Sequence, residues 1–289
     1  MSLKKGFTFI GLAINEAIKT SWLLKPTGTF SLGGILITLL FLIPIILSIA
    51  YLGLGLWGML LVGLSSALLL HALIVWGEVA SLATISLYND HRAGFPADRT
   101  KAQHAISHSW LGVWIFVLVY PAIALAKCFC PSPFPAEGVT DKTTWLEASQ
   151  LALPLISLEG LTAKGSVERL RVLADRKHLR FKPNMIKVGL IGWSIAALFV
   201  MAGIGVGLLI GLVMTRSPFL TLPQRLLATG LSVLAGSLIA CVGIAFNAFV
   251  RSLYHTEIYR WTLSVEEASQ AHQPELAQTP PLLGRVINR

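Results

Sequence analysis

The chain has 289 residues, of which 54% are hydrophobic and only 13% are charged, and its formal net charge is +9. Soluble domains carry about 25% charged residues, so this composition excludes an ordinary soluble protein. Because one transmembrane helix needs about 20 consecutive apolar residues, the length allows about six spans with connecting loops and leaves no room for a separate soluble domain.

The N-terminal segment has apolar residues at three- and four-residue steps, with lysines mostly on the remaining positions. This pattern is typical of an amphipathic helix that lies on a membrane surface. No convincing small-residue cleavage site follows the first long apolar run, so we expect no removable signal peptide. The apolar positions are Leu3, Phe7, Ile10, Ile14, Ile18 and Trp22.

Six apolar runs follow, and they predict an all-α fold, a polytopic bundle of six transmembrane helices. Residues 1–268 are expected to form a single membrane domain. Residues 269–289 are polar and rich in proline, which predicts a disordered cytoplasmic tail. The predicted spans are 30–52, 55–80, 109–127, 145–162, 186–214 and 226–250.

The distribution of lysine and arginine gives a separate test of this topology, since cytoplasmic loops of membrane proteins are enriched in both. Six spans with a cytoplasmic N-terminus place all but four of the 23 basic residues on the inner side. Removing the short fourth span would move the basic segment 164–187 outside. The charge pattern therefore favours six spans and two cytoplasmic termini.

The segment 164–187 combines basic residues with apolar ones at helical spacing, which predicts a basic amphipathic helix on the cytoplasmic surface. Each such charge near an anionic leaflet contributes about 1 kcal/mol of attraction. A nucleic-acid partner is disfavoured because the apolar positions favour lipid and no nucleic-acid-binding module accompanies them. The candidate lipid- or partner-binding residues are Lys164, Arg169, Arg171, Arg176, Lys177 and Arg180.

Small residues repeat every four positions in the fifth and sixth predicted spans, and such stripes let two helix backbones approach closely. We expect the two spans to pack as a tight hairpin, with an oligomer contact or a pore lining as the open alternatives. The residues are Gly203, Gly207 and Gly211 in the fifth span, and Ser232, Gly236 and Ala240 in the sixth.

Four residues are candidates for a polar site within the membrane, where ionisable side chains are costly. His71 and Glu78 lie seven residues apart, on one helix face and roughly 10 Å from each other. Pro154 is expected to kink the fourth span, and Glu159 falls at its cytoplasmic end. The four residues could line a transport route, or Glu78 could be solvated and Glu159 could anchor a helix end.

A glutamate at a helix C-terminus is disfavoured by the helix dipole, so Glu159 should have a partner. Lys164, Arg169 or a residue of the second span is expected in that role. The motifs of hydrolases and nucleotide-binding enzymes are absent, so no catalytic residue and no cofactor are predicted. His104 and His108 could contact a metal, but two ligands do not make a site, and no metal is predicted.

The stretch "LPLISLEGLTAKGSVERL" resembles an uncharacterised prokaryotic family of six-span integral membrane proteins. That family has a Pro-x-x-x-x-Glu-Gly stretch that closes its fourth span, here Pro154, Glu159 and Gly160. A similar stretch occurs in the membrane domain attached to some glycerophosphodiester phosphodiesterases, whose catalytic domain is not in this sequence. The resemblance implies a bacterial inner-membrane protein and no established activity.

The leading hypothesis is a non-enzymatic inner-membrane protein, a scaffold or accessory subunit that binds anionic lipid or a protein partner through its basic cytoplasmic face. Its expected partners are membrane lipids, with other subunits of a membrane complex or further copies of the chain as alternatives. The competing hypothesis is a transporter or channel for a small solute or lipid that uses Glu159, His71 and Glu78.

Overall fold

A computed structural model describes twelve parts of the chain, and their helices and connecting segments contain no strand. The all-α class is therefore confirmed for these residues. The described residues are 3–24, 33–34, 36–41, 44–45, 55–96, 100, 102–104, 106–113, 151–175, 186–215, 221–273 and 279–287.

Seven α-helices position the residues discussed below, and a short 3-10 helix, Ser21–Leu24, follows the first of them. In chain order the α-helices are α1 (Leu3–Lys19), α2 (Leu56–Arg92), α3 (Ala152–Leu158), α4 (Ala163–Asp175), α5 (Ile186–Thr215), α6 (Leu222–Gln270) and α7 (Pro281–Ile287).

Among the described residues, three helices are long and apolar enough to cross a membrane: Leu56–Arg92, Val188–Val213 and Pro223–Gln270. They coincide with the second, fifth and sixth predicted spans. The first and third predicted spans, and residues 145–150 of the fourth, lie largely outside the described residues. The total of six spans therefore stays a prediction.

Two of these helices are much longer than their predicted spans. Helix α2 has 37 residues and helix α6 has 49, which at 1.5 Å per residue gives lengths of about 55 and 74 Å. The hydrocarbon core of a membrane is only about 30 Å thick. Each helix therefore continues well beyond the apolar stretch that hydropathy identifies, which for α6 ends near residue 250.

The chain divides into two compact units. The first, which we call the polar unit, comprises Met1–Pro26, Glu78–Ile191 and Phe249–Arg289. The second, the apolar unit, comprises Thr27–Gly77 and Gly192–Ala248. Helices α2, α5 and α6 contribute residues to both units.

Within the apolar unit, α5 and α6 approach each other through glycine. A Cβ atom added at Gly236 would lie 2.6 Å from the carbonyl oxygen of Gly203, and one at Gly207 would lie 3.0 Å from that of Ser232. One at Gly211 would lie 3.4 Å from the Ser232 hydroxyl oxygen. The predicted stripes of small residues thus face each other inside one chain, and a larger side chain there would separate the backbones.

Within the polar unit, the C-terminal half of α6 forms the core. Leu253, Tyr254, Thr256 and Glu257 are each at most 1% exposed. The ring of Phe9 in α1 meets the ring of Tyr254 edge to face, with centroids 5.2 Å apart. A helix segment with this many polar residues stays buried only if neighbouring elements supply their hydrogen-bond partners.

The apolar surface of α1 is wider than the single stripe that the sequence predicted, and it has an exposed part and a buried part. Leu3, Phe7, Ile14 and Ile18 are exposed, as a surface helix requires, but Ile10 is buried. The buried face of α1 also contains small residues, which let it lie close against the protein. The buried residues are Gly6, Phe9, Ile10, Ala13 and Ala17.

The C-terminal helix α7 packs against α1. Leu282, Leu283 and Val286 of α7 are buried. For Pro281–Ile287 this differs from the predicted disordered tail, because three apolar side chains in one short helix find a surface to cover. Residues 274–278 of the tail lie outside the described residues.

Candidate functional site

The most buried charge in the polar unit is the carboxylate of Glu257, whose side chain is 0% exposed. Its Oε1 accepts a hydrogen bond from the Tyr88 hydroxyl at 2.7 Å and one from Nε of Arg92 at 3.1 Å. Its Oε2 accepts a hydrogen bond from the backbone N–H of Leu283 at 3.3 Å. The carboxylate thus joins α2, α6 and α7.

Arg92 extends this network to α1. Its Nη1 lies 3.9 Å from Oε1 of Glu16, and Nε2 of His91 lies 3.6 Å from the same oxygen. The Arg92 guanidinium also lies over the Tyr88 ring, 5.2 Å from its centroid. One arginine between two carboxylates holds α1 and α6 to the end of α2, and removing it would leave Glu257 buried without a countercharge.

A second network surrounds Glu159, the glutamate of the Pro-x-x-x-x-Glu-Gly stretch. Nε of Arg169 lies 3.4 Å from Oε2 of Glu159, which confirms the prediction of a basic partner. The Tyr259 hydroxyl donates a hydrogen bond to Oε1 of Glu159 at 3.1 Å. Arg169 also binds Glu266 with two hydrogen bonds, of 3.2 and 2.8 Å.

The Arg169 guanidinium stays charged at every physiological pH. Its hydrogen bonds to Glu266, followed by the attraction of Glu159, raise its pKa above the ordinary value. The forked geometry of arginine suits this bidentate contact. Arg169 therefore fixes α4 to the end of α3 and to α6, instead of standing free at the surface.

Helix α3 explains the other residues of the same stretch. Because α3 begins at Ala152, Pro154 lies in its first turn, where a missing N–H leaves no helical hydrogen bond unmade. Residues 145–150 lie outside the described residues, so the predicted kink of the fourth span at Pro154 stays a prediction. Gly160 ends α3 with φ of +66°, and Leu161 N–H donates to Leu155 O at 3.5 Å. Within the described residues, the stretch is thus a short helix that ends at a glycine with a left-handed backbone.

Replacing Gly160 with alanine should lower the free energy of unfolding by about 1 kcal/mol, because a left-handed backbone is strained with a Cβ atom. The added methyl itself would meet no atom within 4 Å, so the strain is the whole effect. Gly189, which has no positive φ and equally open surroundings, supplies the control. Thermal unfolding in mild detergent measures both variants, and equal stability of the two would contradict this assignment.

Glu78 is also paired. Its Oε1 accepts a hydrogen bond from Nη1 of Arg251, and the two side chains are only 12% and 19% exposed. Glu78 is therefore paired and largely buried, whereas one of the two alternatives expected it to be solvated. His71 lies in the apolar unit, and its Nε2 is buried with no hydrogen-bond partner among the described residues. The predicted polar candidates thus do not share one environment. Glu78 and Glu159 are paired with arginines in the polar unit, whereas His71 lies in the apolar unit.

The predicted basic surface is described in part. Lys164 is exposed and Arg169 is engaged as above. The side chain of Arg171 and all of Arg176, Lys177 and Arg180 lie outside the described residues.

His104 and His108 are both exposed, and their rings stack with centroids 5.4 Å apart. In the part of the chain that the structure describes, no group of three or more His, Cys, Asp or Glu side chains could hold a metal ion.

Sequence reasoning missed the residues around Glu257. These three residues, Tyr88, Arg92 and Glu257, come after the apolar runs, so the sequence suggested that they are exposed to solvent at the ends of spans. The aromatic residues near Glu257 in "HTEIYRW" were a signal that it is buried. Glu266 was missed for the same reason. Their partners are distant in sequence, so spacing alone could not pair them.

The chain matches no family model, no curated protein and no solved structure. Its class therefore rests on the fold and composition, which define an all-helical protein with three helices able to cross a membrane. The resemblance carried by Pro154, Glu159 and Gly160 stays a prediction.

Proposed function

We propose that the chain is a non-enzymatic integral membrane protein, a scaffold or accessory subunit that binds anionic lipid through a basic surface. This basic surface consists of Lys164, Arg171, Arg176, Lys177 and Arg180. The observation that carries the proposal is the fixation of α4 by Arg169, which contacts both Glu159 and Glu266. Fixing α4 in this way holds the exposed Lys164 in a defined position, which favours binding of anionic headgroups there.

The pairing of carboxylates supports a structural role over transport. Glu78, Glu159 and Glu257 each contact an arginine. A transport route needs charges that exchange partners with a solute, whereas these charges join helices to one another. The transport alternative is left with His71, whose buried Nε2 has no partner among the described residues.

We further propose six spans, a bacterial inner-membrane location, and cytoplasmic N- and C-termini. The charge asymmetry of the sequence supports this topology. A second support is that the N-terminal segment Met1–Pro26 and the C-terminal segment Phe249–Arg289 belong to the same compact unit. Other subunits or further copies of the chain remain the alternative partners of the basic surface.

The lipid preference of the full chain in reconstituted bilayers tests the proposal. Spin-labelled phosphatidylglycerol should associate more strongly than spin-labelled phosphatidylcholine. Replacing Arg176, Lys177 and Arg180 with glutamine should weaken this preference by about fivefold for each charge that the bound lipid contacts, since each contributes about 1 kcal/mol. Arg225→Gln is the control, because Arg225 is exposed and is predicted on the outer side.

Two outcomes would contradict the proposal. Equal association of both lipids with the unaltered chain would remove anionic lipid as the partner. A solute or proton flux in vesicles that His71→Ala abolishes, with no lipid preference, would favour the transport alternative instead.

A further inference from the structure

Helix α1 is attached to the polar unit through one face. Phe9 and Ala13 are 0% exposed, and Phe9 contacts the Tyr254 ring. On the same side, Glu16 lies near Arg92 and His91. These contacts fix the rotation of α1 about its own axis, so the face exposed beside the buried one has a defined set of residues.

The face next to the buried one is a continuous apolar stripe, which we call the outer stripe: Leu3, Phe7, Gly11, Ile14 and Ile18. The steps between them are three or four residues, which keeps them on one side of a helix. The four large side chains are between 40% and 73% exposed. Single exposed apolar residues are ordinary, but a row of four along one helix marks a contact surface.

The charges of α1 indicate what covers the stripe. Lys4 and Lys19, at its two ends, are exposed, whereas the one acidic residue of α1, Glu16, faces Arg92. The rim of the outer stripe is therefore cationic. A row of apolar side chains bordered by lysines complements the acyl chains and anionic headgroups of a membrane leaflet. Three helices among the described residues are long and apolar enough to cross a membrane.

We propose that the outer stripe of α1 inserts into the acyl-chain region of the leaflet, with Lys4 and Lys19 at the headgroups. Helix α1 is then an in-plane anchor that is fixed to the protein by one face and to lipid by the other. A narrow apolar stripe would bind lipid or protein, but the apolar surface of α1 is wide enough to contact both at once. This proposal does not depend on the basic surface.

Site-directed spin labelling tests it in the full chain reconstituted into vesicles of phosphatidylcholine and phosphatidylglycerol. The native Cys128 and Cys130 are replaced with serine and the buried Cys241 with alanine, and single cysteines are introduced by Phe7→Cys and Ile18→Cys for labelling. At both positions the nitroxide should collide more often with oxygen, which concentrates in lipid, than with a water-soluble nickel chelate. A matched label from Asn15→Cys, exposed beside the stripe, should show the opposite order.

Two results would overturn the proposal. Stronger nickel collisions at Phe7→Cys and Ile18→Cys would place the outer stripe in water. Suppression of both collision rates at these positions would mean that protein covers the stripe, such as a second copy or another subunit. Loss of anionic-lipid preference in the Arg176, Lys177 and Arg180 variant, with the labels still in lipid, would concern the basic surface alone.

Discussion

Replacing Arg92 with methionine should lower the free energy of unfolding by about 3–5 kcal/mol, because it leaves the buried Glu257 carboxylate without its countercharge. The remaining donors to Glu257 are the Tyr88 hydroxyl and the Leu283 N–H. Both are neutral and cannot replace a cation. Unfolding by denaturing detergent, followed by loss of helix signal, measures the change.

Arg285→Met is the matched control, since Arg285 is exposed on α7 in the same unit and a surface change should stay within about 0.5 kcal/mol. The double variant Arg92→Met, Glu257→Leu should recover most of the lost stability, because it removes both charges together. A loss for Arg92→Met no larger than that of the control would show that the pair has no structural role.

Replacing Gly203 with alanine should destabilise the pair of helices α5 and α6 by about 1–3 kcal/mol, the usual cost of forcing a methyl group into packed surroundings. The added Cβ would meet the carbonyl oxygen of Gly236 and lie 3.3 Å from the backbone nitrogen of Ala240. Both are backbone atoms, so neither can move aside without shifting a helix. The same detergent unfolding assay measures the loss.

Gly205→Ala provides the control two residues away on α5. A Cβ there meets nothing within 4 Å, so this variant should be neutral or up to about 1 kcal/mol more stable, since alanine favours helix over glycine. Equal effects at positions 203 and 205 would contradict the close approach of α5 and α6.

The helix pair was predictable because its signal is local. Gly203 and Gly207 repeat at helical spacing in an apolar run, and the neighbouring span has a matching stripe that includes Gly236. Helix α5 accordingly covers the predicted span 186–214 almost residue for residue. The pattern could not tell an intramolecular contact from an oligomer contact, because both bury the same stripe.

The length of α6 was not predictable from hydropathy. After Val250 the sequence contains Arg251, Glu257 and Arg260, and an apolar window excludes all three. The helix continues to Gln270 because these side chains find partners on other elements, for example Asn89, whose carbonyl oxygen accepts a hydrogen bond from Arg260 at 3.2 Å. The contacts that these charged side chains make with other helices therefore determine whether this part of α6 is buried.

Glu159 and Glu257 also differ in how far their partners could be predicted from the sequence. Arg169 was one of the two basic residues expected beside Glu159, because it lies only ten positions away, on the next helix. The side-chain partners of Glu257 are 165 and 169 positions away. No periodicity connects residues at such distances, so their pairing needed the fold itself.

The salt dependence of lipid preference tests the central claim most directly. Because the screening length falls from about 8 Å at physiological ionic strength to about 3 Å at 1 M salt, binding of headgroups by a basic surface must weaken as salt is added. The account predicts that the full chain in bilayers prefers spin-labelled phosphatidylglycerol at physiological salt and loses that preference at high salt. A preference that is absent at physiological salt, or one that salt leaves unchanged, would contradict it.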